Sequence, residues 1–137
     1  MSYRIDTELF GPYENFSHII EDTETQEAII IDPAWNAEHF VNRVKELGVT
    51  PVAIWLTRGH HDHVSAVDTL REYYPIPVYA SEVEIDYVNS FPKGDLPLAF
   101  RPLPDDIIPL KDGEILPFAG EEVKVIHTPG HSSGSIC

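Results

Sequence analysis

The sequence predicts an α/β chain in which helices cover a sheet. Two continuous β-branched runs, Ala28 to Ile31 and Val52 to Leu56, lack polar alternation and read as strands buried on both faces. Between and after them lie stretches with apolar residues at helical spacing. The order through the first ninety residues is strand, strand, helix, strand, helix, strand, helix, which is the pattern of an α/β layer.

The first quarter reads as strands. Phe16 to Ile20 is a short apolar run, polar Glu21 to Gln26 is a turn, and Ala28 to Ile31 ends at Asp32-Pro33. Asn36 is a candidate helix cap. Phe40, Val41, Val44 and Leu47 recur at helical spacing, and Gly48 marks the C-terminal stop. After the Val52 to Leu56 strand comes a polar turn, Thr57 to His63. A helix from about Val64 to Tyr73 follows and is halted by Pro75. Val78 to Ala80 is a short strand. Ser81 with Glu84 matches a capping box, which opens a helix over Glu82 to Val88. Phe91 to Pro104 is a proline-rich loop. Ile107 to Leu110, Ile115 to Phe118 and Val123 to Ile126 then read as short strands joined by Asp112-Gly113 and Ala119-Gly120 turns. His127 to Gly134 is a loop, and Ser135-Ile136-Cys137 reads as the opening of a strand, so the expectation is a single domain over residues 1–137 that is truncated at its C-terminus.

Composition narrows the function classes. Of 137 residues, 42% are hydrophobic and 23% charged, which is ordinary for a soluble globular protein. The formal net charge of −14 disfavours nucleic acid and anionic membrane surfaces, because binding to either needs clustered Lys and Arg. No apolar run approaches the ~20 residues needed to span a bilayer. Met1 to Asp6 show no basic-then-apolar pattern, and the single cysteine, Cys137, allows no internal disulfide; a cytoplasmic home is expected.

The informative stretch is Thr57-Arg58-Gly59-His60-His61-Asp62-His63, which sits between a buried strand and a helix. Imidazole nitrogen and carboxylate oxygen are ligands that zinc takes. In an extended turn His60 and Asp62 point one way and His61 another. The bland alternative is a solvated helix entry with Asp62 as N-cap. The second stretch, His127-Thr128-Pro129-Gly130-His131, again places a His at the end of a β-branched strand; its bland alternative is a hairpin loop with a satisfied histidine. Trp35 and Trp55 read as core or crevice-wall residues, and Tyr73-Tyr74 as packing at a helix end.

Together the two stretches resemble the metallo-β-lactamase superfamily, with its T-H-x-H-x-D-H and H-T-P-G-H motifs, and Ile31-Asp32-Pro33-Ala34 looks like its I-D-P-G segment. The compact spacing is similar to the glyoxalase II-like (hydroxyacylglutathione hydrolase-like) branch. The resemblance implies a sandwich of two mixed sheets with outer helices, of which this chain would hold a part. It implies that His60 and His127 ligate a first metal, that Asp62 and His63 ligate a second, that Asp62 also helps position the metal-bound water, and that Asp32 is an acid that orients the site. It implies zinc as cofactor, with iron or manganese as alternatives, and hydrolysis of a small ester or thioester by metal-activated water.

The sequence departs from the family pattern in two places. Arg58 stands where the first histidine ligand is expected, and a guanidinium has no lone pair to donate. The bridging aspartate and last histidine, which the family supplies after H-T-P-G-H, do not occur before Cys137. Two protein ligands per cation remain, against the three usual in catalytic zinc sites, so impaired activity is expected unless another chain contributes. The alternatives are a degenerate, non-catalytic binding or assembly module (or an inactive fragment) and an iron-dependent enzyme similar to the persulfide dioxygenases of the fold. A homo-oligomer, formed by exchange of elements, is the expected assembly, and a small molecule the expected substrate.

Overall fold

The structure, a computed structural model, describes residues 3–10, 15–33, 37–57, 66–90, 104, 106–118 and 121–126. Among the described residues, eight strands and three helices follow in the order β1 (Tyr3–Phe10), β2 (Asn15–Asp22), β3 (Glu27–Ile31), α1 (Ala37–Leu47), β4 (Thr50–Trp55), α2 (Val67–Tyr73), β5 (Val78–Ser81), α3 (Glu82–Asn89), β6 (Ile108–Leu110), β7 (Ile115–Phe118) and β8 (Glu121–Lys124). The first six strands form one mixed sheet in sequence order, and β7 and β8 form a separate antiparallel pair.

β1, β2 and β3 pair antiparallel, while β3, β4, β5 and β6 run parallel. Each parallel step in the same direction across a sheet needs a right-handed crossover, so the connecting helices fall on one face. The register fixes which side chains meet them. Ile19 pairs with Ile30, Ile30 with Ile54, and Ile54 with Val78. These residues share one core with Phe40, Val41 and Val44 of α1, Val67 and Leu70 of α2, and Ile85 of α3. Phe40, Ile54 and Leu70 are at most 1% exposed, so this face supplies most of the hydrophobic stabilisation.

The opposite face carries Ile20, Ile31, Trp55 and Tyr79, offset by one residue from the helix-side set. Here a smaller cluster of Leu110 and Val125, with Tyr79 and Leu116 against it, seats the β7–β8 pair. Trp55 meets Phe118 edge to face at a centroid distance of 6.4 Å.

Local chemistry explains the element ends. Ser81 caps α3 by accepting the Glu84 backbone N–H at 3.4 Å, as the capping-box reading anticipates. Gly48 adopts φ +70° and its N–H bonds back to the Val44 carbonyl at 3.0 Å, which closes α1. Gly113 adopts φ +82° in the turn between β6 and β7.

Several boundaries differ from the sequence reading. Glu21 and Asp22 belong to β2 and not to a turn, because β1 extends the pairing to Arg4↔Glu21 and Tyr3↔Asp22. The turn is residues 23–26, and the Asp22 Oδ1 accepts the N–H groups of Glu24 at 2.9 Å and Thr25 at 3.2 Å. β6 adds in parallel to β5 through Tyr79↔Ile108 and Ser81↔Leu110, a pairing the sequence reading did not supply. The described part of the second helix begins at Val67, with Ala66 as N-cap. Tyr74 is half-buried against the core, and its burial pushes the phenol upward in pKa, whereas Tyr73 is 51% exposed. Asn36, Trp35 and the Phe91 to Leu103 part of the proline-rich loop lie outside the described residues.

Candidate functional site

Parallel strands deliver their C-terminal ends to one edge of a sheet, where α/β proteins place ligands. β3 and β4 end side by side there, at Ile31↔Trp55. The next residues are Asp32 and, beyond Leu56, Thr57.

Asp32 is 5% exposed and sits at φ +50°, a left-handed conformation that aspartate tolerates better than most residues. It is held from both neighbouring strands. Its N–H donates to the Trp55 carbonyl at 3.1 Å, and its carbonyl accepts the Ser17 Oγ–H at 2.6 Å from β2. The turned backbone aims the side chain across β4. There Oδ1 accepts the Thr57 N–H at 2.7 Å, and Oδ2 accepts the Thr57 hydroxyl in a short bond.

Pro33 continues the arrangement. Its carbonyl accepts the Ala66 N–H at 3.3 Å, at the entry of α2. Asp32 and Pro33 therefore grip both Thr57 and Ala66, the residues that flank 58–65. That interval holds Arg58, His60, His61, Asp62 and His63, which themselves lie outside the described residues, as do His127 and His131. Among the described residues no three His, Cys, Asp or Glu side chains converge on a common point. Of the expected site residues, Asp32 alone is described, and its carboxylate contacts Thr57.

Sequence reasoning passed over Thr57 and Ser17. Thr57 opens the histidine-rich motif, so its position carried a signal. Ser17 had none, since its bond to Asp32 spans fifteen residues.

Beside Thr57 lies a cavity of about 120 Å³ between the large sheet and the β7–β8 pair. Ile20, Ile31, Trp55, Leu116, Val123 and Val125 supply much of its wall, which bears out Trp55 as a crevice-wall residue. His18 is half-buried on the same face of β2, opposite Ile31.

The donor set can be tested against a metal by its chemistry. Imidazole nitrogen and carboxylate oxygen, which residues 60–63 and 127 offer by residue type, are suitable ligands for zinc. Arg58 offers no lone pair.

Comparison with known proteins gives a consistent picture. Residues 11–137 match the sequence profile of the metallo-beta-lactamase superfamily. The chain is 33% identical over 125 residues to a probable polyketide biosynthesis zinc-dependent hydrolase, BaeB, of Bacillus velezensis, which covers 91% of this chain and 50% of that protein. It is 36% identical over 124 residues to a hydroxyacylglutathione hydrolase of a Synechococcus strain, covering 90% of this chain and 43% of that one. The chain thus spans about half the length of the curated relatives it matches. Among solved structures it is similar to the B3 metallo-beta-lactamase BLEG-1, at a TM-score of 0.77 and 30% identity over 97% of this chain and 65% of the other. It is also similar to TTHA1623 in a di-iron-bound form, at a TM-score of 0.72 and 30% identity, over 96% of this chain and 64% of the other. No helix among the described residues is long and apolar enough to cross a membrane.

Proposed function

The chain belongs to the metallo-beta-lactamase superfamily, whose relatives here include metal-dependent hydrolases, and on that premise we propose that it serves a metal-dependent hydrolase of a small ester or thioester. The observation that carries this reading is the grip of Asp32 and Pro33 on Thr57 and Ala66, which flank the histidine-rich residues 58–65. A solvated helix entry would not need a buried carboxylate in a left-handed conformation to hold its first residue. A turn that must present several ligands in fixed directions does need such support, because partners behind the ligands set their orientation.

Within this reading His60 and His127 hold one cation, and Asp62 and His63 the other. Bound zinc would supply a nucleophile at neutral pH and polarise the carbonyl under attack. The chain's own part is positional. Asp32 fixes Thr57, Pro33 fixes Ala66, and the apolar cavity beside Thr57 excludes water from that flank. At about 120 Å³ the cavity is smaller than the ~300–1,000 Å³ of drug-sized ligand sites. It therefore takes a short acyl group and not a whole substrate.

Zinc is the metal we propose, in line with the zinc-dependent relative, while the di-iron form of a structural neighbour keeps iron as the alternative. Arg58 favours one second reading, a non-catalytic member in which the guanidinium replaces a ligand. The two readings separate in one experiment on the purified chain: metal content after dialysis against zinc, together with hydrolysis of a hydroxyacylglutathione thioester with and without chelator. Retained zinc and chelator-sensitive turnover support the hydrolase. Neither metal nor turnover at high protein concentration supports the non-catalytic reading.

A further inference from the structure

We infer that Ser17 is a positioning residue for Thr57 and Ala66, the two residues that flank 58–65, acting through Asp32 on Thr57 and through Pro33 on Ala66. The inference rests on the metal-centre reading for its functional half, and on hydrogen-bond geometry alone for its structural half.

Ser17 is fully buried in β2, two residues from Ile19, on the face that carries the main core. A buried hydroxyl needs a partner, and alanine would fill such a site more cheaply than serine. Its partner is the Asp32 carbonyl, at 2.6 Å. That carbonyl is available to β2 because residue 32 leaves the strand conformation at φ +50°. The Asp32 N–H is meanwhile fixed to the Trp55 carbonyl of β4 at 3.1 Å. With its amide held by one neighbour and its carbonyl by the other, the Asp32 backbone has one orientation, and the carboxylate reaches both donors of Thr57. The same peptide plane leads into Pro33, whose carbonyl takes the Ala66 N–H. Ser17 thus ties β2, through Asp32 and Pro33, to Thr57 and Ala66.

The test is hydrogen exchange on the full chain, comparing wild type with Ser17→Ala and Ser17→Thr. Losing one net hydrogen bond of this kind raises local opening roughly threefold to tenfold. Exchange at the Thr57 and Ala66 amides should rise by that factor in Ser17→Ala, while Ile54, which donates to the Pro77 carbonyl at 2.9 Å, should be unchanged. Ser17→Thr keeps the donor and should restore protection. Unchanged exchange at Thr57 overturns the inference, and so does an equal rise at Ile54, which would mark a general loss of stability.

Zinc affinity, read by competition with a chromophoric chelator, is the second readout. Partners behind a ligand are worth about 10–100-fold in metal affinity, and a residue one bond further back should lie at the lower end. A tenfold loss in Ser17→Ala supports the positioning role. An unchanged affinity alongside faster Thr57 exchange overturns it. If wild type itself takes up no zinc, the metal-centre reading fails, and exchange alone decides the Ser17 coupling.

Discussion

Replacing Asp32 probes the contact on which the site depends. In Asp32→Ala, the Thr57 N–H loses an ionised acceptor at 2.7 Å in a partly buried setting, at a cost of about 1.5–2 kcal/mol. Loss of the Thr57 hydroxyl bond to Oδ2 adds about 1 kcal/mol, because the half-buried hydroxyl can turn toward water. Alanine at φ +50° adds about 1 kcal/mol more, since its Cβ crowds the following carbonyl without the local hydrogen bonding open to aspartate. Together these give about 3.5–4 kcal/mol, a large share of the ~5–15 kcal/mol that holds a domain folded. Asp32→Asn keeps Oδ1 and the tolerance of a left-handed backbone, and should cost about 1–1.5 kcal/mol. Asp32→Gly loses both bonds but relieves the backbone, and should fall between the two. Urea unfolding followed by far-UV circular dichroism gives the three values. If Ala and Asn agree within about 0.5 kcal/mol, or if Gly equals Ala, the carboxylate is not the anchor described here.

On the proposed metal-centre reading, Arg58→His supplies a donor that arginine lacks, so the zinc retained per chain after dialysis should increase; an unchanged content by elemental analysis would show that position 58 does not face the cation. Stability should decline in acid. Asp106 is held below the ordinary carboxylate value of 3.8 by its hydrogen bonds from Arg71, at 2.8 and 2.6 Å, and Asp22 by the Glu24 N–H. A carboxyl depressed in the folded state stabilises the fold above its unfolded pKa and loses that contribution as pH falls through the folded value. Urea midpoints stepped down from pH 5 should therefore drop, and Asp106→Asn should flatten the slope; parallel slopes would contradict the assignment. The chain should also self-associate. Ile115 and Ile126 on the β7–β8 side are 47% and 51% exposed, Ile5 on β1 is 52% exposed, and β7 and β8 pair only with each other among the described residues. Light scattering at micromolar concentration should show more than a monomer, and a stable monomer would refute it.

Local signals carried much of the fold. The β-branched run at residues 28–31, the helical spacing of Phe40, Val41 and Val44, the Ser81–Glu84 cap and the glycine stop at residue 48 each act within a few residues, and each appears where the sequence puts it. What escaped depends on partners far away in the chain. β1 is half polar, and pairing with β2 makes it a strand along its whole length. β6 has only three residues, and nothing in Ile108–Leu110 tells whether it turns back on β7 or lies parallel to β5. The site was legible as a motif and not as an arrangement. Asp32 was found through the resemblance of Ile31-Asp32-Pro33-Ala34 to the family's I-D-P-G segment, but its left-handed backbone and its grip on Thr57 require β2 and β4 to be in place first.

The β7–β8 pair leads directly, through Val125 and Ile126, to His127. A two-stranded hairpin has marginal stability on its own, and this one is moored by Leu110, Tyr79 and the Trp55–Phe118 contact. The sheet and the hairpin consequently stand on footings of unequal strength, one braced by six paired strands and the other by a few side chains. Small changes at Leu110 or Phe118 would therefore unseat the hairpin while leaving the large sheet intact.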